Sequence, residues 1–190
     1  MRLLLASKSP RRRELLSLLG FPLEIVDVDV DEHIVTPLPA SEVAEHLARR
    51  KADAYGASRL ADGDVLVTAD TVVAHRDEIL GKPHTREEAI RMLQSLSGDT
   101  HTVYTGVSLR SNRESLSFTE STRVCFNTLS IEDIEYYVDN YRPYDKAGAY
   151  GIQEWIGMIG IRAIEGCYYN VVGLPVATLY DKLRNRFLST

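Results

Sequence analysis

Cysteine is scarce in this chain, with two in 190 residues. Cys125 and Cys167 stand in unlike contexts and form no Cys-x-x-Cys pair, which argues against structural zinc and thioredoxin-type redox chemistry. They read as buried thiols in a reducing compartment. Long apolar runs are missing too. Nothing approaches the length of a membrane span, and Arg11 to Arg13 interrupt the apolar start before it resembles a signal peptide. The expectation is a cytoplasmic protein with no membrane partner. There is no basic excess: 22 Lys and Arg face 27 Asp and Glu, for a net charge of −5. That disfavours a nucleic-acid polymer as partner, while a local basic site would still suit a small polyanion. The five histidines show neither metal-ligand spacing nor an HExxH pattern and read as structural or surface groups. There is no GxSxG elbow and no GxGxxG fingerprint, and Gly81-Lys82 lacks the upstream glycine of a Walker A loop.

What is present is ordinary in bulk, 44% hydrophobic and 26% charged, as in soluble globular proteins. The length allows one sizeable core or two small lobes, and we read residues 1–190 as one domain. Leu3-Leu4-Leu5-Ala6 predicts a buried strand. Ser9 then serves as N-cap and Pro10 as the first residue of a helix with Leu15, Leu16, Leu18 and Leu19 toward the core. A second strand is expected near Leu23–Val26, and a helix capped by Ser41 running to about Ser58. Val65 to Ala74 reads as a long strand with Glu78-Ile79-Leu80 as its hairpin partner. Thr85 and Glu88 form a capping box, with Ala89, Met92, Leu93 and Leu96 as the helix stripe. Long strands are expected near 101–109 and 116–129, then a helix capped by Ser130. Tyr141 to Gln153 reads as irregular, 159–164 and 168–172 as strands, and 174–187 as the last helix. The mixture lacks strict βαβ alternation, so the fold class is α/β or α+β with a mixed sheet.

The sharpest local feature is the first helix start. Arg11, Arg12 and Arg13 occupy the first turn, where the helix dipole already places partial positive charge. Strand, Ser-rich turn with Ser7 and Ser9, free helix N–H groups and guanidinium forks together make a phosphate-binding design. A solvated basic helix start is the plainer alternative. Asp70 interrupts an apolar strand, and a buried carboxylate is costly unless paired, hydrogen-bonded or on a metal. Lys51 continues the apolar face of Val43, Ala44 and Leu47, so it either snorkels outward or points into a site. Lys82 is held between Gly81 and Pro83. Asp31-Glu32 offers hard oxygens for a divalent cation, or is simply solvated. The segment Asp145 to Gln153 has small residues that let a ligand approach, and the Gln153 amide both donates and accepts.

Taken together, these segments resemble the Maf family of nucleoside triphosphate pyrophosphatases. The resemblance is carried in order by Leu5-Ala6-Ser7-Lys8-Ser9-Pro10-Arg11-Arg12, Asp31-Glu32, Leu47-Ala48-Arg49-Arg50-Lys51-Ala52, Ala69-Asp70-Thr71-Val72-Val73 and Gly81-Lys82-Pro83. It continues through Leu96-Ser97-Gly98, Asp145-Lys146-Ala147-Gly148-Ala149-Tyr150-Gly151-Ile152-Gln153 and Val171-Val172-Gly173-Leu174-Pro175. It implies an inosine-triphosphatase-like fold, with an elongated mixed sheet, flanking helices and a cleft between two lobes. It implies cleavage between the α- and β-phosphates with a divalent metal, Mg²⁺ or Mn²⁺, and a homodimer by family analogy. The later motif looks like the dTTP/UTP branch. In that branch Asp70 matches the proposed proton acceptor, and Arg11, Thr71 and Gln153 match positions associated with base choice. On this reading Ser7, Arg11, Arg12, Lys51 and Lys82 bind the triphosphate, and Glu32 and Asp70 hold the metal. Two positions depart from the family pattern: Lys8, where small or neutral residues are common, and Trp155, where Gly is frequent. The alternatives are a 7-methyl-GTP or inosine-type pyrophosphatase, and a non-catalytic nucleotide-binding regulator of cell division.

Overall fold

The structure, a computed structural model, describes residues 1–31, 38–76 and 78–188. In chain order the elements are β1 (Arg2–Leu5), α1 (Pro10–Ser17), β2 (Leu23–Ile25), α2 (Ala40–Tyr55), β3 (Asp64–His75), β4 (Glu78–Leu80) and α3 (Arg86–Leu96). They continue with β5 (Thr100–Arg110), β6 (Ser115–Phe126), α4 (Ile131–Tyr141), α5 (Trp155–Gly160), β7 (Ile161–Glu165), α6 (Tyr168–Val172) and α7 (Val176–Lys182). The seven strands form one sheet in the order β2-β1-β3-β5-β6-β7, with β4 paired to β3. β1 runs parallel to both β2 and β3, while β4 lies antiparallel on β3 and β7 antiparallel on β6. The sheet is mixed, as the pattern of elements predicts.

Local signals explain most boundaries. Ser9 caps α1 through Arg12 N–H, Thr85 caps α3 through Glu88 N–H, and Ser130 caps α4 through Asp133 N–H. The Glu88 carboxylate closes its box one residue early, accepting from His84 N–H at 2.7 Å. Elsewhere the structure departs from expectation. Ser41 lies inside α2, whose N-cap position is Pro39, and the helix stops at Gly56 with φ +81. Leu18 is 76% exposed because α1 ends before it, leaving Leu16 as that helix's buried residue. Residues 168–172 are helical instead of extended. Asn170 is fully buried there, and its Nδ2 donates to Val103 O and Thr122 Oγ1, so tertiary hydrogen bonds override the β preference of Tyr and Val. The strand expected at 159–164 begins at Ile161, after α5. The last helix starts at Val176 rather than 174, and its final turn, Leu183–Phe187, widens to a π-turn. Both cysteines are half-buried free thiols, not core residues.

The chain gathers into two compact units. One comprises Met1–Asp70, Thr105–Glu120 and Gly173–Thr190; the other comprises Thr71–Tyr104 and Ser121–Val172. The first is built on Leu3, Leu5, Leu16, Val67, Leu109 and Leu179, with a smaller cluster around Leu4, Ala52 and Leu66. In the second, Leu93, Leu96, Val124, Ile134, Tyr137 and Ile156 form the core.

Two predictions follow from this packing. A Cβ on Gly106 would fall inside the backbone of Ala44 and Glu45, so β5 and α2 approach only because that position is glycine. Gly106→Ala is expected to cost about 3 kcal/mol or more, the upper end of overpacking effects, read by urea unfolding. In the second unit, His101 is 2% exposed, and its Nε2 pairs with Tyr150 OH at 2.7 Å. Burial, helped by the nearby His75, pushes its imidazole down to about 4. The unfolded chain takes up that proton near the ordinary histidine value, about 6.5. Between these values the unfolded state binds more protons, so stability is lost as pH falls through the window. The loss is on the order of 3 kcal/mol in all. Urea unfolding at pH 7 and pH 4 should show wild type losing that much more than His101→Gln.

Candidate functional site

In the first unit, β1 delivers the chain to the Ser7–Ser9 turn and α1. Ser7 Oγ accepts from Ser9 N–H at 3.2 Å, and Ser9 Oγ accepts from Arg12 N–H at 3.4 Å. Arg13 N–H donates to Ser9 O, so much of the first turn's backbone donor capacity is used locally. The turn contains no acidic residue. Arg12 is the organising side chain. Its Nε donates to Gly173 O at 2.8 Å, and one terminal nitrogen donates to Ala69 O at 3.0 Å and reaches Ser7 Oγ at 3.4 Å. The guanidinium therefore sits on the carbonyl that immediately precedes Asp70. Arg11 is partly exposed and Arg13 exposed on the same turn.

Asp70 and Lys51 meet. Lys51 Nζ donates to Asp70 Oδ1 at 2.7 Å, with side chains 13% and 14% exposed. Of the two orientations open to Lys51 from sequence, the structure has the inward one. The reason is register. Thr68 and Asp70 share a face of β3, and Ala48 and Lys51 share a face of α2. Thr68 Oγ1 donates to Ala48 O at 2.6 Å, which places Lys51 one turn further along, opposite Asp70. The carboxylate in an apolar strand is thus paired, as its burial requires.

A carboxylate has about four acceptor positions, so Lys51 at one oxygen leaves Asp70 able to serve a further donor or a hard cation. Mg²⁺ is usually held by one or two carboxylates together with substrate phosphates, and the Asp70 donor chemistry fits that use. Among the described residues, no group of three or more His, Cys, Asp or Glu offers an all-protein metal cage. Asp31 is exposed, while Glu32 lies outside the described residues.

The second unit holds the other expected residues. Thr71 is half-buried on β3. Lys82 is exposed after β4, and the neighbouring Gly81 O accepts from Gly148 N–H at 3.0 Å. Gly148 takes φ +70, and a Cβ there would press on Val73 at 3.1 Å, which explains a glycine in this turn. Gln153 is exposed on the rim of a groove of about 470 Å³, shared with Ile152, Met158, Arg162, Ile164 and Tyr168. Trp155 packs edge-on against Tyr136, with ring centroids 4.8 Å apart. Sequence reasoning gave no role to Tyr137, Lys146 and Glu154, which the fold joins: Tyr137 OH donates to Glu154, and Lys146 Nζ lies 3.1 Å from the same carboxylate. Burial and that hydrogen bond push the Tyr137 phenol up from its ordinary value. Their separation along the chain hid them. Of the histidines, His75 and His101 are buried structural groups and His46 and His84 are exposed, while His33 lies outside the described residues.

A family model described as Maf-like protein matches residues 2–186. The chain belongs to the Maf family. The dTTP/UTP pyrophosphatase of Bacteroides thetaiotaomicron is 50% identical over 183 residues, 96% of this chain and 94% of that one. The Porphyromonas gingivalis protein of the same name is 50% identical over 186 residues, covering 97% and 94% of the two chains. That of Flavobacterium johnsoniae is 44% identical over 182 residues, covering 96% and 93%. Among solved structures, the Staphylococcus aureus Ham1 protein superposes with a TM-score of 0.56 at 15% identity, over 97% of this chain and 99% of that one. This likeness concerns the fold alone, and it bears out the fold expected of a Maf protein. Among the described residues, no helix is long and apolar enough to cross a membrane.

The Arg12 contacts yield a direct test of its fork. Arg12→Lys keeps the charge but cannot reach Gly173 O, Ala69 O and Ser7 together. It is expected to lower unfolding free energy by about 2 kcal/mol, as loss of charge-assisted hydrogen bonds does. Urea unfolding of the two proteins measures this.

Proposed function

We propose that this protein hydrolyses nucleoside triphosphates, dTTP and UTP foremost, between the α- and β-phosphates, releasing a nucleoside monophosphate and pyrophosphate. One observation in the structure carries the reading: Lys51 against Asp70, with the Arg12 guanidinium on the carbonyl just before that carboxylate. A base, an adjacent ammonium and a cationic helix turn are the parts that phosphoryl chemistry demands, because its catalysis is mostly positioning and electrostatics. The relatives named dTTP/UTP pyrophosphatase, matched along nearly their whole length, support the substrate class.

The roles are those the family resemblance implies and the chemistry requires. Asp70 accepts the proton of the attacking water, which adds to phosphorus in line while the bond to the departing pyrophosphate breaks. Ser7, Arg11, Arg12 and Lys51 bind the triphosphate and meet the charge that grows on the leaving group. Lys82 is assigned to the same anion. Thr71 and Gln153, with Arg11, are assigned to base choice. A uracil or thymine edge offers carbonyl acceptors and one N3–H donor, and an amide complements both. Asp70 and Glu32 would hold a divalent metal, Mg²⁺ or Mn²⁺, which when bound neutralises phosphate charge and polarises the reacting oxygens. A homodimer, expected by family analogy, is checked by light scattering.

The deciding assay measures pyrophosphate release from dTTP, UTP, CTP, 7-methyl-GTP and ITP, with Asp70→Asn alongside. Fastest turnover is expected on dTTP and UTP. The variant, folded by circular dichroism, should lose on the order of 10²–10⁴ in kcat, the usual worth of a general base. Wild-type turnover in that variant would refute the base assignment, and preferred turnover of a purine triphosphate would refute the substrate assignment.

A further inference from the structure

Gln153 lies in a turn that is braced more firmly than an exposed polar loop requires. Tyr137, on α4, is completely buried. Its hydroxyl donates to Glu154 Oε2 and accepts from Gly151 N–H at 3.0 Å. The other Glu154 oxygen stands 3.1 Å from Lys146 Nζ, and that ammonium also donates to Asp145 Oδ1 at 2.7 Å. The Lys146 side chain is only 9% exposed and faces two carboxylates, so its charge is spent inside the protein. Glu154 N–H donates to Gly151 O at 3.0 Å and closes the turn. Gln153 therefore sits between the two residues that the Tyr137 hydroxyl grips. Its amide lies over Gly151, where a Cβ would stand 2.9 Å from Nε2.

Placement matters for a carboxamide that reads a pyrimidine. Thymine and uracil present an O4 acceptor beside an N3–H donor, whereas cytosine presents an amino donor beside an N3 acceptor. A Gln held out of reach of that edge distinguishes neither base. We propose that Tyr137, Glu154 and Lys146 are positioning residues that hold in place the turn carrying Gln153, and with it the reach of that side chain to the base, and thereby set selectivity for 4-oxo pyrimidine nucleotides over cytosine nucleotides. This inference rests on the assignment of Gln153 to the base.

The test compares Tyr137→Phe, Gln153→Ala and the double variant, with kcat and KM measured separately for dTTP, UTP and CTP. In Tyr137→Phe, kcat on dTTP is expected to stay within about threefold. The dTTP-over-CTP ratio of kcat/KM should fall about tenfold or more, through KM, since an oriented pair of hydrogen bonds discriminates by at least that order. The double variant should match Gln153→Ala, because both changes act through one group. If Gln153→Ala loses the ratio while Tyr137→Phe keeps it, or loses activity equally on all three substrates, the positioning role is wrong and the Gln153 assignment survives. If Gln153→Ala keeps the ratio, that assignment falls and the positioning role with it. Glu154→Gln, which keeps volume and removes the charge facing Lys146, is judged by the same ratio and decides the matter should Tyr137→Phe fail to fold.

Discussion

The contact between Lys51 and Asp70 governs the first unit. An apolar strand cannot carry a carboxylate at low exposure without a partner, and removing one member of such a pair typically costs 3–5 kcal/mol, by order of magnitude ~4. Satisfying Asp70 therefore dictates where α2 lies. Gly106 lets the helix backbone approach, Thr68 pins the Ala48 carbonyl, and Lys51 follows one turn later. A shift of β3 by one residue would turn Asp70 to the other face and separate it from α2. The same register places Ala69 O under the Arg12 guanidinium. Strand alternation and helix periodicity thus converge on one carboxylate.

Much of this was legible in the chain, and the split between legible and hidden has a physical basis. Ser9-Pro10, Thr85 with Glu88, and Ser130 with Asp133 announced helix starts because a cap is satisfied within three or four residues. β3 and its hairpin with β4 were readable from an apolar run and a short turn. Tyr168–Val172 was misread because its conformation is decided by Asn170 bonding to Val103 and Thr122, far away in sequence. The direction of Lys51 had the same character: helix periodicity gave its face, but only the strand beneath supplied the anion. The ordered motifs disclosed the family before any geometry, while the bracing of Gln153 by Tyr137, Glu154 and Lys146 stayed invisible.

The second unit uses charge in a different way. Lys146 and Glu154 are drawn inward and satisfied by each other, Asp145 and Tyr137, so they stiffen a turn. Fully satisfied polar networks of this kind specify one conformation, and a missing member leaves the rest buried and unpaired. That suits a segment whose proposed task is to hold Gln153 in place.

The first turn of α1 has the opposite logic. Arg11, Arg12 and Arg13 stand at the positive end of the helix dipole without an acidic residue among them. Cations there are disfavoured by roughly 0.3–1 kcal/mol each at an exposed site. Arg12 recovers part of this through Gly173, Ala69 and Ser7. Evolution toward stability alone would place Asp or Glu in this turn, since either would improve the helix. Their absence is explained when the missing negative charge is the substrate's. On the proposed function, a triphosphate at this turn relieves the repulsion, and a ligand that binds only the folded state stabilises that state in proportion to its occupancy. The electrostatic cost of this turn and the anion site proposed for it then share a single origin in the arrangement of three guanidinium groups on a capped helix start.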